Sequence, residues 1–445
     1  DIFVDLAEAG LAAVITNTIP EISSVGDVID LKCQSTQEAK LQLYINNQLV
    51  QEGEGTELVY NYTLSQGGDY HFQFVAQAGE EKSTADAFTC VASIPELEAR
   101  PAGVDMGIYY DANDPTKVTL CTYAASKLAA AKHVFVVGDF NNWQVSEEYQ
   151  LKQDGNYFWI ELTGLTPQKE YAMQYVVVRS DGVVKRISDL FSEKVLHSDD
   201  QWEPMTVDPD LMPYPQEADG YATVIQTGKP AFQWSDATLN FKRPNKNNLV
   251  IYELWVYDHT QHRSIAGLMD RLQYFEDMGV NAIELMPITE FDGNENWGYS
   301  PNHYFALDKA YGTPEQMKTF VDECHKRGIA VILDMVFNHS TGLNPMNKLY
   351  PYGDDLKYNP WFNVTAPHPD NVYEDWNHDF APAKKMMIRA LNYWLTEYKV
   401  DGFRMDLSHG LCGTTYDAME HITDYYEKGV KAVAEDRSEE RRVGK

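Results

Sequence analysis

The sequence is short of positive charge. Lysine and arginine number 36 against 67 aspartates and glutamates, a formal net charge of −31 over 445 residues. Nucleic acids and anionic lipid surfaces are held by basic residues that displace counterions, so this balance argues against both as partners. A neutral ligand meets no such barrier. Cysteine is also scarce: five, scattered along the chain, too few for a disulfide framework. Cys33 and Cys90 stand at opposite ends of one β-rich segment and could pair, though two buried free thiols fit as well. No run of 18 or more apolar residues occurs, so no membrane-spanning helix is expected. The opening stretch, DIFVDLAEAGLAAVITNTIP, lacks a basic region and does not read as a signal peptide.

Apolar residues are plentiful at 44%, with 12% aromatic. That composition builds large cores and excludes the disordered class. The 28 tyrosines and 9 tryptophans suit flat sugar faces, although cores and sheets account for most of them. The length allows two to four domains. From about Ile22 to Ser93 the pattern alternates with period two, in DVIDLKC, KLQLYIN, LVYNYTL and YHFQFVA. Turn signals at Asn46–Asn47 and Gly67–Asp69 separate these runs, which read as an Ig-like β-sandwich over residues 1–98. A second β segment, 99–208, contains AKHVFVVGDFNNWQ and YAMQYVVVRSDG and reads as another small sandwich. A proline-rich stretch (Pro204, Pro209, Pro213, Pro215) suggests a linker over 209–248.

After Asn248 the rhythm becomes strand, helix, strand. LVIYELWVYD, VNAIELMP, IAVILDMVFNH and VDGFRMDL are near-continuous apolar strands. Between them, Ser264–Gly279, Thr313–Gly328 and Ala381–Lys399 carry helical spacing, and Asp417–Glu435 follows. Ser264 and Thr313 stand as N-caps and Gly279 and Gly328 as stops. Such alternation implies a parallel sheet covered by helices. Four strands and four helices are half the count of a closed (β/α)8 barrel. The expected fold is therefore two all-β sandwiches followed by the first half of a barrel over 249–436, with an insertion at 340–380. The last nine residues, RSEERRVGK, carry four basic residues in an acidic chain and read as a non-native tail, 437–445.

Parallel barrels place their working side chains at the C-terminal strand ends. There the sequence sets Tyr257 and Asp258, then WGYSPNHYFALDKAYGT, then Asp334, Asn338 and His339, then Arg404 and Asp406. ILDMVFNH and GFRMD, in this order and spacing, resemble two signature strands of the α-amylase superfamily, the retaining α-glucan enzymes. GDFNNW (Gly138–Trp143) is similar to the N-terminal β-sandwich of glycogen- and starch-active members. The resemblance implies that Asp406 is the nucleophile, with Arg404 beside it. Arg404 and Asp406, two apart in a strand, share a face, and a charge-assisted bond would hold the carboxylate ionised and aimed. It further implies that His339 bonds the sugar at the cleavage subsite, that Tyr299 stacks beneath it, and that Asp334 supports the arginine. His409 stands where many amylases have lysine, and Gly410 where they have histidine, so His409 is the candidate substrate contact there. Asn338 matches a position that binds structural calcium in many members; no organic cofactor is implied. Trp143 could belong to a glucan-binding surface or to a core.

Retaining hydrolysis also needs a carboxylic acid about 5–5.5 Å from the nucleophile. The family carries it as a glutamate on the fifth strand, which this chain stops short of; Glu435, at the end of the fourth helix, is not that residue. The expectation is thus a secreted or cell-surface bacterial enzyme that hydrolyses internal α-1,4 bonds of starch-like glucans, with these 445 residues alone inactive. A branching or other transglycosylating enzyme would use the same residues, and a non-catalytic glucan-binding protein would use the sandwiches alone.

Overall fold

The computed structural model describes residues 10–202, 210–293, 295–351, 353 and 356–433. Pro204, Pro209, Glu435 and the basic tail at 437–445 lie outside them. The chain forms two compact units. The first holds residues up to 98 together with 133–137 and 141–153; the second holds 99–132, 138–140 and 154 onward. The division expected at residue 98 is therefore not a single cut.

In the first unit the period-two pattern does what alternation predicts. Strand Val28–Ile45 buries alternate residues over much of its length. It turns back into Gln48–Thr63 through Asn46 and Asn47, at φ 48° and 65°, the left-handed pair a two-residue hairpin needs. A register shift between Gln34 and Ala39 marks a bulge, which bends a strand. Before the bulge the strand pairs with Ala13–Ile15; after it, with Gly68–Ala78. The six strands thus make one continuous sheet around a core that includes Leu31, Leu43, Phe72 and Phe74, where two separate facing sheets were expected. Cys33 and Cys90 do not pair. Both are free and buried, because Cys33 faces Ile15 and Leu58 in its ladders while Cys90 faces Ile22 and Asp69. Burial pushes the Cys33 thiol up to about 11. Trp143 is buried as well, which places it in the core and removes it from any exposed glucan-binding surface.

The second unit begins with β structure. Gly107–Tyr110, Val118–Tyr123 and Tyr157–Leu162 form one antiparallel set. Glu170–Arg179 pairs with Ala222–Gln226 along residues 170–173 and with Val184–Ile187 along residues 175–178, and Ala222–Gln226 also pairs with Val195–Leu196. The stretch read as a linker, 209–248, therefore contains a central strand of this sheet. The prolines hid it: ATVIQ is only five residues long, and its signal is an apolar run without alternation.

The same unit carries the parallel sheet. Ile251–Leu254, Ala282–Leu285, Ala330–Met335 and Gly402–Met405 lie side by side in chain order, all parallel. The first strand is shorter than expected, since Val256–His259 is a helical turn. The helix expected over Ser264–Gly279 is broken into Ile265–Met269 and Leu272–Asp277, with Ser264 accepting from Gly267 N–H as the cap. Helix Pro314–Lys326 opens on a Thr313/Gln316 capping box, and Gly328 closes it at φ 75°, a left-handed stop that glycine adopts without strain. Ala381–Glu397 follows as expected. Ala418–Asp424 continues into a wider π turn, Tyr425–Lys431.

The two parts of this unit lock together through buried polar groups. Arg179, almost wholly buried, donates to Leu349 O at 3.1 Å and lies over the Tyr350 ring. Tyr350 Oη–H donates to Ala129 O at 2.7 Å, and Ser188 meets His303 at 2.8 Å. The insertion at 340–380 thus braces the sheet region as well as following the third strand.

The cysteine assignment predicts thiol counts. In denaturant without reductant, all five cysteines should react with a thiol reagent, and few should react rapidly in the native state because all five are buried. Three reactive thiols in the denatured chain would mean that Cys33 and Cys90 are bonded after all.

Candidate active site

The parallel strands put Ile332, Asp334, Arg404, Glu253 and Glu284 on one face of the sheet. Cross-strand register fixes this: Glu253 faces Glu284, Glu284 faces Ile332, and Asp334 faces Arg404. The opposite face carries Leu254, Leu285 and Leu333, all buried. At the N-terminal end of the working face, Phe241 packs on Ala282 and Ala330 and stacks on His325 with ring centroids 4.0 Å apart. That end is closed by apolar packing, and the chemistry lies at the other end.

There, one nitrogen of the Arg404 guanidinium serves two carboxylates. Nη1 donates to Asp406 Oδ1 at 2.6 Å and to Asp334 Oδ1 and Oδ2 at 3.2 and 3.0 Å. Tyr299 Oη–H donates to Asp334 Oδ2 at 2.8 Å. Asp334 is fully buried, Asp406 is 15% exposed and Arg404 43% exposed at the side chain. Burial pushes the Asp334 carboxyl up to about 6, against the lowering effects of the Tyr299 hydroxyl and Arg404. Burial works against the Arg404 charge, but the bonds to Asp406 and Asp334 outweigh it and hold the guanidinium above its usual range. Burial raises the Tyr299 hydroxyl too, which keeps it a donor. The next residue after Asp406, Leu407, has φ 42°. A left-handed backbone is strained for leucine, and it swings the chain into the turn Ser408–Gly410.

The structure brings Asp406, Arg404, Asp334 and Tyr299 into this one network. It places His339 differently from expectation. His339 is buried; its Nε2 lies 2.8 Å from Tyr299 O and so must carry the proton, while Nδ1 accepts from Asn338 Nδ2 at 2.9 Å. With both ring nitrogens engaged, His339 holds the Tyr299 loop and offers no free bond to a sugar. His409 is exposed on the turn, and only its carbonyl is tied down, by the Cys412 thiol at 3.0 Å.

The surroundings of Asn338 do not fit calcium. Its Oδ1 is buried without a hydrogen-bond partner, but Gly410 packs against it so closely that a Cβ there would overlap that oxygen. Its Nδ2 reaches Asp370 O at 3.3 Å. The nearby Asp375 spends its oxygens on His368 and Asn363, both at 2.7 Å. Calcium takes six to eight oxygens, and this set falls well short.

Two aromatic residues near the strand ends were not singled out by the sequence pattern. Trp255 stacks on Tyr257 at 4.9 Å and meets Trp297 edge-on at 6.4 Å. Trp297 is 61% exposed, a large apolar face left open beside Tyr299. What could have found it is NENWGYS: Gly298 has φ 92° and any side chain there would strike Pro287, so the segment is a tight, shaped turn that presents its tryptophan.

Two family models match parts of the chain. Residues 239–384 match the α-amylase catalytic domain family and residues 105–192 match carbohydrate-binding module 48, the isoamylase N-terminal domain. Residues 239–384 of the chain are α-amylase-like. The matched segment includes Tyr299, Asp334, Asn338 and His339, while Arg404 and Asp406 follow it. A malto-oligosyltrehalose trehalohydrolase of Saccharolobus solfataricus is 35% identical over 231 residues, 51% of this chain and 38% of the relative. An intracellular maltogenic amylase of Bacillus subtilis is 33% identical over 33% of this chain and 26% of its own length. A Group B Streptococcus pullulanase structure shares the fold with TM-score 0.54 at 20% identity, covering 95% of this chain and 56% of that one. The chain thus spans well under half the length of the two curated relatives. Among the described residues, three of the four parallel strands lie within the matched segment and Gly402–Met405 follows it.

Two outcomes test the site. Gly410→Ala should cost about 1–3 kcal/mol in urea unfolding, the usual range for overpacking, because the added methyl overlaps Asn338 Oδ1. Asp334 has a folded pKa above its unfolded value near 4. Its contribution to stability is therefore present below about pH 4 and is lost as pH rises through about 6, roughly 3 kcal/mol at most. Asp334→Asn should flatten the fall in stability between those pH values; an unchanged profile would mean that this carboxyl titrates normally.

Proposed function

We propose that this α-amylase domain is the nucleophile half of a retaining α-glucan-cleaving site, with Asp406 forming the bond to the anomeric carbon. The single observation that carries this reading is the Arg404 bridge. One guanidinium nitrogen lies 2.6 Å from Asp406 and is itself fixed by the buried Asp334, so one Asp406 oxygen is anchored. A carboxylate so aimed can attack as the oxocarbenium-like transition state develops. Trp297, Trp255 and Tyr299 supply stacking faces for glucose units beside it. The module at 105–192 supports a glucan substrate.

The leaving oxygen needs a proton donor. Asp334 is committed to Arg404 and Tyr299. Glu253 and Glu284 share the row of Gly402, four residues below Asp406, or about 13 Å at 3.3 Å per residue. Neither fits the 5–5.5 Å that a retaining pair requires. The described residues therefore favour slow or absent turnover of ordinary glucans by this chain, since a general acid is worth about 10²–10⁴-fold. Whether water or a sugar hydroxyl discharges the glucosyl-enzyme separates a hydrolase from a transglycosylase. The relatives named above are hydrolases and an amylase; a branching enzyme of Fusobacterium nucleatum is 29% identical over 62% of this chain, so the same nucleophile suits either fate.

A glycosyl fluoride removes the need for a general acid, because fluoride departs without a proton. Incubation with α-maltosyl fluoride should give one maltosyl ester per chain, mapped by peptide mass spectrometry to Asp406. The carboxylate oxygen bonds C1 and the C–F bond breaks. Asp406→Asn should give none, and Arg404→Lys at least tenfold slower labelling. No adduct in the parent chain, or an adduct that persists in Asp406→Asn, would overturn the assignment.

A further inference from the structure

A second cluster lies beyond the turn that follows Asp406. Asp379 stands just before helix Ala381–Glu397, and Asp417 and His421 sit at the start of helix Ala418–Asp424. One donor atom from each of the three lies within 4.8 Å of the others. His421 is only 2% exposed, and neither of its ring nitrogens has a hydrogen-bond partner. Leaving a buried polar group unpaired costs about 1–3 kcal/mol, so an imidazole left this way needs a reason. Its Nε2 is aimed between two carboxylates, 3.5 Å from Asp379 Oδ1 and 3.6 Å from Asp417 Oδ1.

Those separations are too long for hydrogen bonds and right for ligands of a common ion. Two donors about 2.0–2.1 Å from a tetrahedral zinc lie about 3.4 Å apart. The carboxylates are also set for the task. Asp379 Oδ2 is fixed by the Thr414 N–H and hydroxyl at 2.8 and 2.9 Å, which leaves Oδ1 turned to His421. Asp417 Oδ1 is steadied by Gly413 N–H at 3.3 Å. Gly413 passes so close over Asp379 that any side chain would overlap its carboxyl. Both carboxylates are partly open to solvent, 43% and 36%, which gives an ion a way in.

We propose that Asp379, Asp417 and His421 bind one divalent transition metal, zinc by preference, with a fourth position open to water. One imidazole and two carboxylates suit Zn²⁺, whereas calcium takes six to eight oxygens and magnesium, a hard ion, takes oxygen ligands in preference to imidazole. Bound there, the ion fastens the 411–417 loop to the start of helix Ala381–Glu397 and so steadies the chain just past the nucleophile.

Cobalt(II) reports such a site by its visible absorption. Chelator-treated protein titrated with Co²⁺ should take up one equivalent, with tetrahedral d–d bands that Zn²⁺ abolishes. His421→Asn and Asp417→Asn should each weaken uptake at least tenfold, and His262→Asn, an exposed histidine elsewhere, should not. Circular dichroism checks that each variant is folded. Absence of a saturable equivalent in the parent chain, or equal uptake by folded His421→Asn, would overturn the proposal. The glycosyl-fluoride labelling of Asp406 is read independently, so the two proposals fail separately.

Discussion

The candidate site depends on one charge-assisted bridge, the Arg404 guanidinium held between Asp334 and Asp406. A lone carboxylate at a strand end would be free to turn among rotamers and to bond water. In this site the cation fixes one oxygen at 2.6 Å and is itself fixed from behind by a carboxyl with no exposure. The Tyr299 hydroxyl closes the back of the network at 2.8 Å. Burial taxes both members of the Asp334–Arg404 pair, and removing either would leave the other as an uncompensated buried or half-buried charge, which is costly. The network is thus cooperative. Each member is oriented by the next.

The scaffold makes that bridge possible by register. Parallel pairing sets Asp334 directly beside Arg404, and side chains that alternate across the sheet send both to the same face. Buried leucines on the other face prevent a one-residue slip, which would expose them and bury the ions. Loops then refine the site by close approach. Gly410 lies on Asn338, Gly298 on Pro287 and Gly413 on Asp379. Each is a place where backbone takes the room a side chain would need. His339 belongs to this supporting layer: buried and bonded at both nitrogens, it sets the path of the Tyr299 segment.

The β modules were legible as β structure because alternation in Val28–Ile45 is strong and the Asn46–Asn47 turn has its own chemistry. Their boundaries were not. Strand Ala222–Gln226 sits among prolines and is buried on all sides but its end, so it carries no period-two signal. Residues 133–137 and 141–153 belong to the first unit by tertiary packing alone. The separation of Cys33 from Cys90 has the same origin, since strand order decides which cysteines meet.

The sequence by itself determined the order of strands and helices in the α/β region, the caps at Ser264 and Thr313, and the pairing of Arg404 with Asp406, because each of these rests on neighbours a few residues apart. It also carried the family signature in ILDMVFNH and GFRMD. Only the tertiary structure decided that His339 is spent internally, that the Asn338 oxygen faces Gly410, that Trp297 stands open beside Tyr299, and that His421 meets Asp379 and Asp417. Those outcomes depend on contacts between segments far apart in the chain, whose distances are set by packing that local propensity does not encode.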